Sequence, residues 1–163
     1  MGERDRDRAA VYAAEDQFVA TLERAGAGAA IEFFGSTLTI PAERKFADLD
    51  SVRRYLETVC ALPAVTMRWP DVAVPSVRER RGPRQAHYCD GVIALPIGER
   101  WAGRESVVLH ELAHHLVQAE AATAHDTVFV SAYVVLIEAA MGPEAALLMR
   151  ASLDGAGVTV VSG

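Results

Sequence analysis

The stretch His110-Glu111-Leu112-Ala113-His114 combines residue types and a spacing that can do chemistry. On a helix, residues i and i+4 share a face, so two imidazoles placed there can reach one metal ion at about 2.0–2.1 Å. Glu111 stands about 100° round the helix from His110, an offset that lets its carboxylate approach water at the metal without binding the metal itself. HExxH on a helix is the zinc metalloprotease pattern, with two histidine ligands and a glutamate general base. A shuffled chain of this composition would show it about once in a hundred. The competing reading is a pair of core histidines satisfied by an acid, in which every polar group needs a partner or costs about 1–3 kcal/mol.

A catalytic zinc takes three protein ligands and leaves one position for water. The metzincin extension HExxHxxGxxH does not hold, because Val117 stands at its glycine and Glu120 at its third histidine. His125, followed by Asp126 and then Phe129, is the leading third ligand; Glu138, Asp126 and Glu120 are the alternatives. An unbroken helix would carry His125 roughly 16 Å along the axis from His114. The helix must therefore end between Gln118 and Thr123, a stretch with neither Gly nor Pro. His115 points about 100° away from His114 and is expected in a supporting or surface role, within i+4 reach of Glu111. Tyr88, Tyr133 and Asp126 are further candidates for supporting the site or touching substrate, with core packing the plainer role for the two tyrosines. His87 reads as structural in a strand. Trp101 is expected to pack near the start of the active helix.

The elements that must position these groups follow from periodicity. Residues 4–25 read as an amphipathic helix with Val11, Ala14, Phe18, Leu22 and Ala25 on one side, stopped by Gly26 and Gly28. Ile31–Phe34 and Thr37–Ile40 read as strands around Gly35-Ser36. Asp50 or Ser51 is expected to cap a helix whose stripe is Val52, Tyr55, Leu56 and Val59. Pro63 and Pro70 punctuate the chain. Val72–Arg80 is β-like, and Gln85–Cys89 with Val92–Leu95 flank Asp90-Gly91, a hairpin signal. From about Arg104 the period becomes helical, with apolar residues over most of the circumference, as in a buried helix. Asp126 is expected to cap a helix over Thr127–Met141, and Gly142-Pro143 to end it and open another. Val158–Val161 reads as a last strand. The class is α+β, a single domain over residues 1–163 with the sheet early and the helices late.

Composition bounds the function. The chain has 163 residues, 51% hydrophobic and 23% charged, with a net charge of −6 and mean hydropathy of +0.13. That is globular rather than disordered. No apolar run approaches the roughly 20 residues that span a bilayer, and the charged start is unlike a secretory signal, so a cytoplasmic protein without membrane association is expected. The acidic balance works against generic nucleic-acid binding. Two cysteines, Cys60 and Cys89, are too few for a disulfide framework or a Cys-rich zinc site. The basic run Arg78–Arg84 reads as a solvated hairpin tip, with contact to an anion or acidic substrate as the alternative.

The segment Gly103–Phe129, with VVLHELAHHL and AHDTVF, resembles a family of small actinobacterial proteins described as HExxH metallohydrolases. RAAVYAAEDQF, FFGSTLTIPAERKF, VRERRG and AHY extend the likeness over nearly the whole chain. The resemblance implies a zincin-like fold and one zinc per chain, with His110, His114 and His125 as ligands and Glu111 in the catalytic role. HExxH followed by a later His and Phe is also similar to SprT-like metalloproteases, which usually carry His-Gly where this chain has His125-Asp126. Their Cys-rich ribbon and DNA-binding elements have no counterpart here. In zincin folds substrate lies extended along an edge strand above the active helix, and Gly91–Pro96 is the segment the resemblance points to for that edge.

The expected chemistry is zinc-assisted hydrolysis of an amide or peptide bond, with Glu111 taking a proton from water and passing it to the leaving amine. Three rivals stand beside it. One is hydrolysis of a small amide or ester at the same site. Another is a non-catalytic zinc site closed by a fourth ligand such as Cys60 or Cys89. The third is a partner-binding module.

Overall fold

The elements follow one another along the chain in the order α, ββ, αα, βββ, ααα. The computed structural model describes residues 3–82, 85–118 and 124–161. The architecture is mixed α+β, with six helices and two small sheets among the described residues. The chain divides into two compact units, Met1–Glu43 with Ala122–Gly163, and Arg44–Ala121. No helix among the described residues is long and apolar enough to cross a membrane.

In the first unit α1 (Glu3–Ala25) buries Val11, Ala14, Phe18 and Leu22 of the stripe read from the sequence, while Ala25 at its end is half-buried. Gly26 ends it at φ 79, its N–H bonded to the Leu22 carbonyl, a left-handed position that glycine takes without a Cβ penalty. β1 (Ala30–Phe33) and β2 (Ser36–Thr39) form an antiparallel hairpin with Phe33 opposite Ser36. The turn is therefore Phe34-Gly35, one residue earlier than the Gly35-Ser36 expected. Both residues have positive φ, 45 and 80, the twist that two-residue hairpins prefer.

α5 (Thr127–Met141) and α6 (Pro143–Gly155) pack on each other, and α6 also packs on α1. Asp126 caps α5 by accepting the Phe129 N–H at 3.0 Å. Gly142 joins the two helices at φ 100, and Pro143 opens α6 where its missing N–H leaves nothing unsatisfied. Both features stand as read. The expected strand Val158–Val161 does not form. That segment is irregular; within this unit the Val158 N–H donates to the Leu153 carbonyl at 2.9 Å and Ser131 Oγ donates to the Val161 carbonyl at 3.3 Å.

In the second unit α2 (Leu49–Cys60) buries Val52, Tyr55, Leu56 and Val59, as the spacing required. Its cap is Asp48, not Asp50 or Ser51: Asp48 Oδ1 accepts both the Ser51 N–H and the Ser51 hydroxyl at 2.7 Å. A short helix α3 (Pro63–Arg68), unread in the sequence, starts on Pro63. β3 (Ser76–Glu79), β4 (His87–Cys89) and β5 (Val92–Leu95) make a sheet in the order β3-β5-β4. β4 and β5 are the expected hairpin over Asp90-Gly91. β3 pairs parallel with β5, so Gly91–Pro96 contributes the central strand rather than an edge. Periodicity marks a strand but not its neighbours, and the crossover from β3 is what puts β5 in the middle.

Candidate metal centre

The helix that carries the motif, α4 (Glu105–Val117), is buried along most of its surface. It is fixed at its start by a buried carboxylate. Glu105 is 0% exposed and accepts the Arg44 N–H at 2.8 Å, Arg44 Nη1 at 2.8 Å and the Tyr55 hydroxyl at 2.6 Å. Glu105 N–H in turn donates to the Arg44 carbonyl, and Phe46 N–H to the Gly103 carbonyl at 2.7 Å. A negative charge at a helix N-terminus is favoured by the macrodipole, and charge-assisted bonds hold it there. Gly103 is required by this clamp. A Cβ on it would lie 2.4 Å from the Phe46 carbonyl oxygen. Trp101 sits in the turn before the helix, 39% exposed, with its carbonyl accepting from Arg104 N–H.

So held, α4 brings His110 and His114 together as the i, i+4 spacing requires. Their Nε2 atoms are 3.2 Å apart and their rings meet edge to face. His110 and Glu111 are 3% and 5% exposed, and His114 is half-buried. Two nitrogen ligands of a tetrahedral zinc at about 2.0–2.1 Å are separated by about 3.3 Å, the edge of that tetrahedron. The two imidazoles already stand at that separation.

His115 is buried at 5% exposure rather than on the surface. Its Nε2 lies 2.7 Å from the Ala73 carbonyl, which can only accept, so that nitrogen carries the proton. Its Nδ1 lies 3.0 Å from the Tyr88 hydroxyl. Both ring nitrogens are thus engaged away from Glu111, and the i+4 pairing open to them in sequence is not made. The Tyr88 oxygen also accepts the Gly91 N–H at 2.9 Å and contacts Gln118 Oε1. Burial, only partly offset by the Gly91 bond, raises the Tyr88 hydroxyl above its ordinary value, so it stays protonated at neutral pH. Tyr88 and His115 therefore tie β4 to α4, a supporting role.

α4 ends at Val117, with Gln118 as its cap, within the window that His125 needs. Glu120 lies outside the described residues. His125 itself takes φ 64, the left-handed conformation that the glycine-free sequence gave no means to anticipate. Its ring is 5.6 Å from Tyr12 and 5.0 Å from Phe129 between centroids. Tyr12 carried no signal in the sequence, since a helical tyrosine looks like any stripe residue.

One ligating atom from each of His110, His114 and His125 lies within 4.8 Å of the others, close enough to hold a metal ion. The other third-ligand candidates stand elsewhere. Asp126 is spent on capping α5. Glu138 is 53% exposed and faces Arg150 Nη2 at 3.9 Å. Tyr133 is fully buried and stacks on Phe129. Cys60 is half-buried, and Cys89 is exposed beside Asp90; neither belongs to the cluster. His87, read as structural, is exposed on β4.

Scans against protein-family models, curated proteins and solved structures each return no match, so the residues themselves carry the functional argument.

Proposed function

We propose that this chain is a zinc-dependent hydrolase of amide or peptide bonds, zincin-like in its active helix, with His110, His114 and His125 as the metal ligands. The observation that carries this reading is the three-histidine cluster built on HExxH. Its donor set suits zinc: neutral imidazoles are ordinary zinc ligands, and three of them leave the open position typical of catalytic rather than structural sites. Bound there, zinc would supply Lewis acidity and lower the pKa of water to about 7.

The rest falls to the protein. Glu111, next to His110 and 5% exposed, accepts the proton of the attacking water and returns it to the leaving amine. Its low exposure keeps the carboxylate out of bulk solvent, where the transfer would be less directed. The Glu105 clamp fixes the start of α4, and Tyr88 with His115 fixes its far half against β4. β4, at the edge of the sheet and in contact with α4, takes the place first read for Gly91–Pro96. An extended peptide would add to its free side by backbone pairing.

The test is Glu111→Gln. The variant should retain zinc at the wild-type stoichiometry and lose hydrolysis of a fluorogenic peptide library by about 10²–10⁴-fold, the usual worth of a general base. Full activity in Glu111→Gln would remove the mechanism. Absence of zinc from the wild-type chain after reconstitution would remove the whole reading.

A further inference from the structure

A second concave site lies on the three-stranded sheet. Arg78, Glu79, Arg80, Arg81 and His87 line a cleft of about 530 Å³, within the range of about 300–1,000 Å³ usual for small-ligand sites. The register explains why Arg78 and His87 converge. Arg78 of β3 and His87 of β4 both pair with Ala94 of β5, so the three residues form one row across the sheet with their side chains on one face. Their Cα atoms are two strand spacings apart, about 10 Å. Between them lies Ala94, a small residue that is 1% exposed. Arg80, two residues beyond Arg78, returns to the same face. Its N–H continues the ladder to the Leu95 carbonyl, and its Nη1 donates to the Gln85 carbonyl at 2.7 Å. That bond orders one guanidinium at the cleft's end.

We infer that this cleft binds a compact polyanion with the chemistry of a phosphate ester or pyrophosphate, through Arg78, Arg80, Arg81 and His87. Three arginines against one glutamate concentrate positive charge in a chain whose net charge is −6. Solubility is served by the acidic excess and does not call for a basic focus inside a hollow. Guanidinium groups offer paired N–H donors that match phosphate oxygens, and the imidazole adds another donor. Apart from the His87 imidazole, the described lining offers no aromatic ring on which a base could stack, and an extended nucleic acid would meet the acidic remainder of the surface. Both features favour a small phosphorylated molecule. The inference is independent of the zinc reading.

The experiment is a titration of ¹⁵N-labelled protein at low salt with inorganic pyrophosphate, and in parallel with glutarate as a dicarboxylate control. Pyrophosphate should shift the Arg78, His87 and Ala94 resonances with a Kd of about 0.1–1 mM, weakening as salt is raised. Glutarate should bind at least about tenfold more weakly. Arg78→Ala with Arg81→Ala should lose at least about tenfold in affinity, and Lys at both positions should lose less, because charge remains while the fork is gone. These side chains are exposed, so the variants should fold as the wild type does. Because zinc would also attract phosphate, the titration is repeated on His110→Ala/His114→Ala, where binding should persist. Shifts confined to other regions, binding unchanged in the Arg78→Ala/Arg81→Ala chain, binding lost with the two histidines, or glutarate binding as tightly would each overturn the inference.

Discussion

His125 holds two roles that a single pair of substitutions separates. Its backbone sits at φ 64, a conformation costing an L-residue about 1–2 kcal/mol and glycine almost nothing. At an ordinary helical position, Ala is more stable than Gly by about 1 kcal/mol. At position 125 the order should reverse. His125→Ala keeps the left-handed cost, and His125→Gly sheds it against about 0.5–1 kcal/mol of added chain entropy. The glycine variant should therefore be the more stable by about 0.5–1 kcal/mol. Both variants lose the ring contacts with Tyr12 and Phe129, about 0.5–1.5 kcal/mol each, so that loss cancels in the comparison. Metal binding should fall in both alike. Four-ligand zinc sites bind with about 10–16 kcal/mol, so one ligand accounts for about 3 kcal/mol, or at least about 100-fold in affinity. Urea denaturation in EDTA reads the first quantity, and zinc competition with a chromophoric chelator the second. Ala more stable than Gly would refute the strained backbone. Zinc affinity within about threefold of wild type in either variant would refute the ligand assignment.

Other expectations follow from the elements around α4. Gly103→Ala should destabilise by about 2–4 kcal/mol in urea melts, because a Cβ at 2.4 Å from the Phe46 oxygen must push apart the pairing that holds Glu105; a change under about 0.5 kcal/mol would show the clamp is pliable. Tyr88→Phe removes the acceptor of the Gly91 N–H and the partner of His115 Nδ1. It should cost about 1–3 kcal/mol and broaden the His115 ring signals in NMR, and unaltered signals would count against the tie. The Ser51 N–H and hydroxyl hold the Asp48 carboxyl below its ordinary 3.8. Its contribution is therefore complete above that value and is lost as pH falls through the lower folded value. Asp48→Asn should flatten the stability profile below about pH 4, and an unchanged acid limb would contradict this. Burial pushes the Cys60 thiol up to about 11; iodoacetamide at pH 8 should leave it largely unmodified and label it only as pH rises, since the thiolate is the nucleophile.

What the sequence disclosed follows a physical line between local and non-local information. The stripe of α1, the apolar circumference of α4, the Asp126 cap, the Gly142-Pro143 junction and the Asp90-Gly91 turn all stand where they were read. Each depends on residues within one or two turns of chain. The errors came where two signals of similar strength compete locally, as with Asp48 against Asp50 for the α2 cap. They also came where nothing local decides. The pairing of β3 with β5, which moved the sheet edge from Gly91–Pro96 to β4, is set by a crossover that leaves no mark on either strand's periodicity.

The candidate site divides along the same line. His110 and His114 were legible because a helix turns i and i+4 into neighbours with no help from the rest of the molecule. His125 required a reversal that lacks any glycine or proline between Gln118 and Thr123, and the residue in the left-handed position is the ligand candidate itself. A non-glycine residue persists in such a conformation only where its surroundings over-determine it. Here those surroundings include the Tyr12 and Phe129 rings and, one residue on, the Asp126 cap of α5. The strain is carried by the same histidine that the proposed metal site takes as its third ligand, its ring nitrogen within 4.8 Å of those of His110 and His114. A residue that merely ended a helix would have been cheaper as glycine.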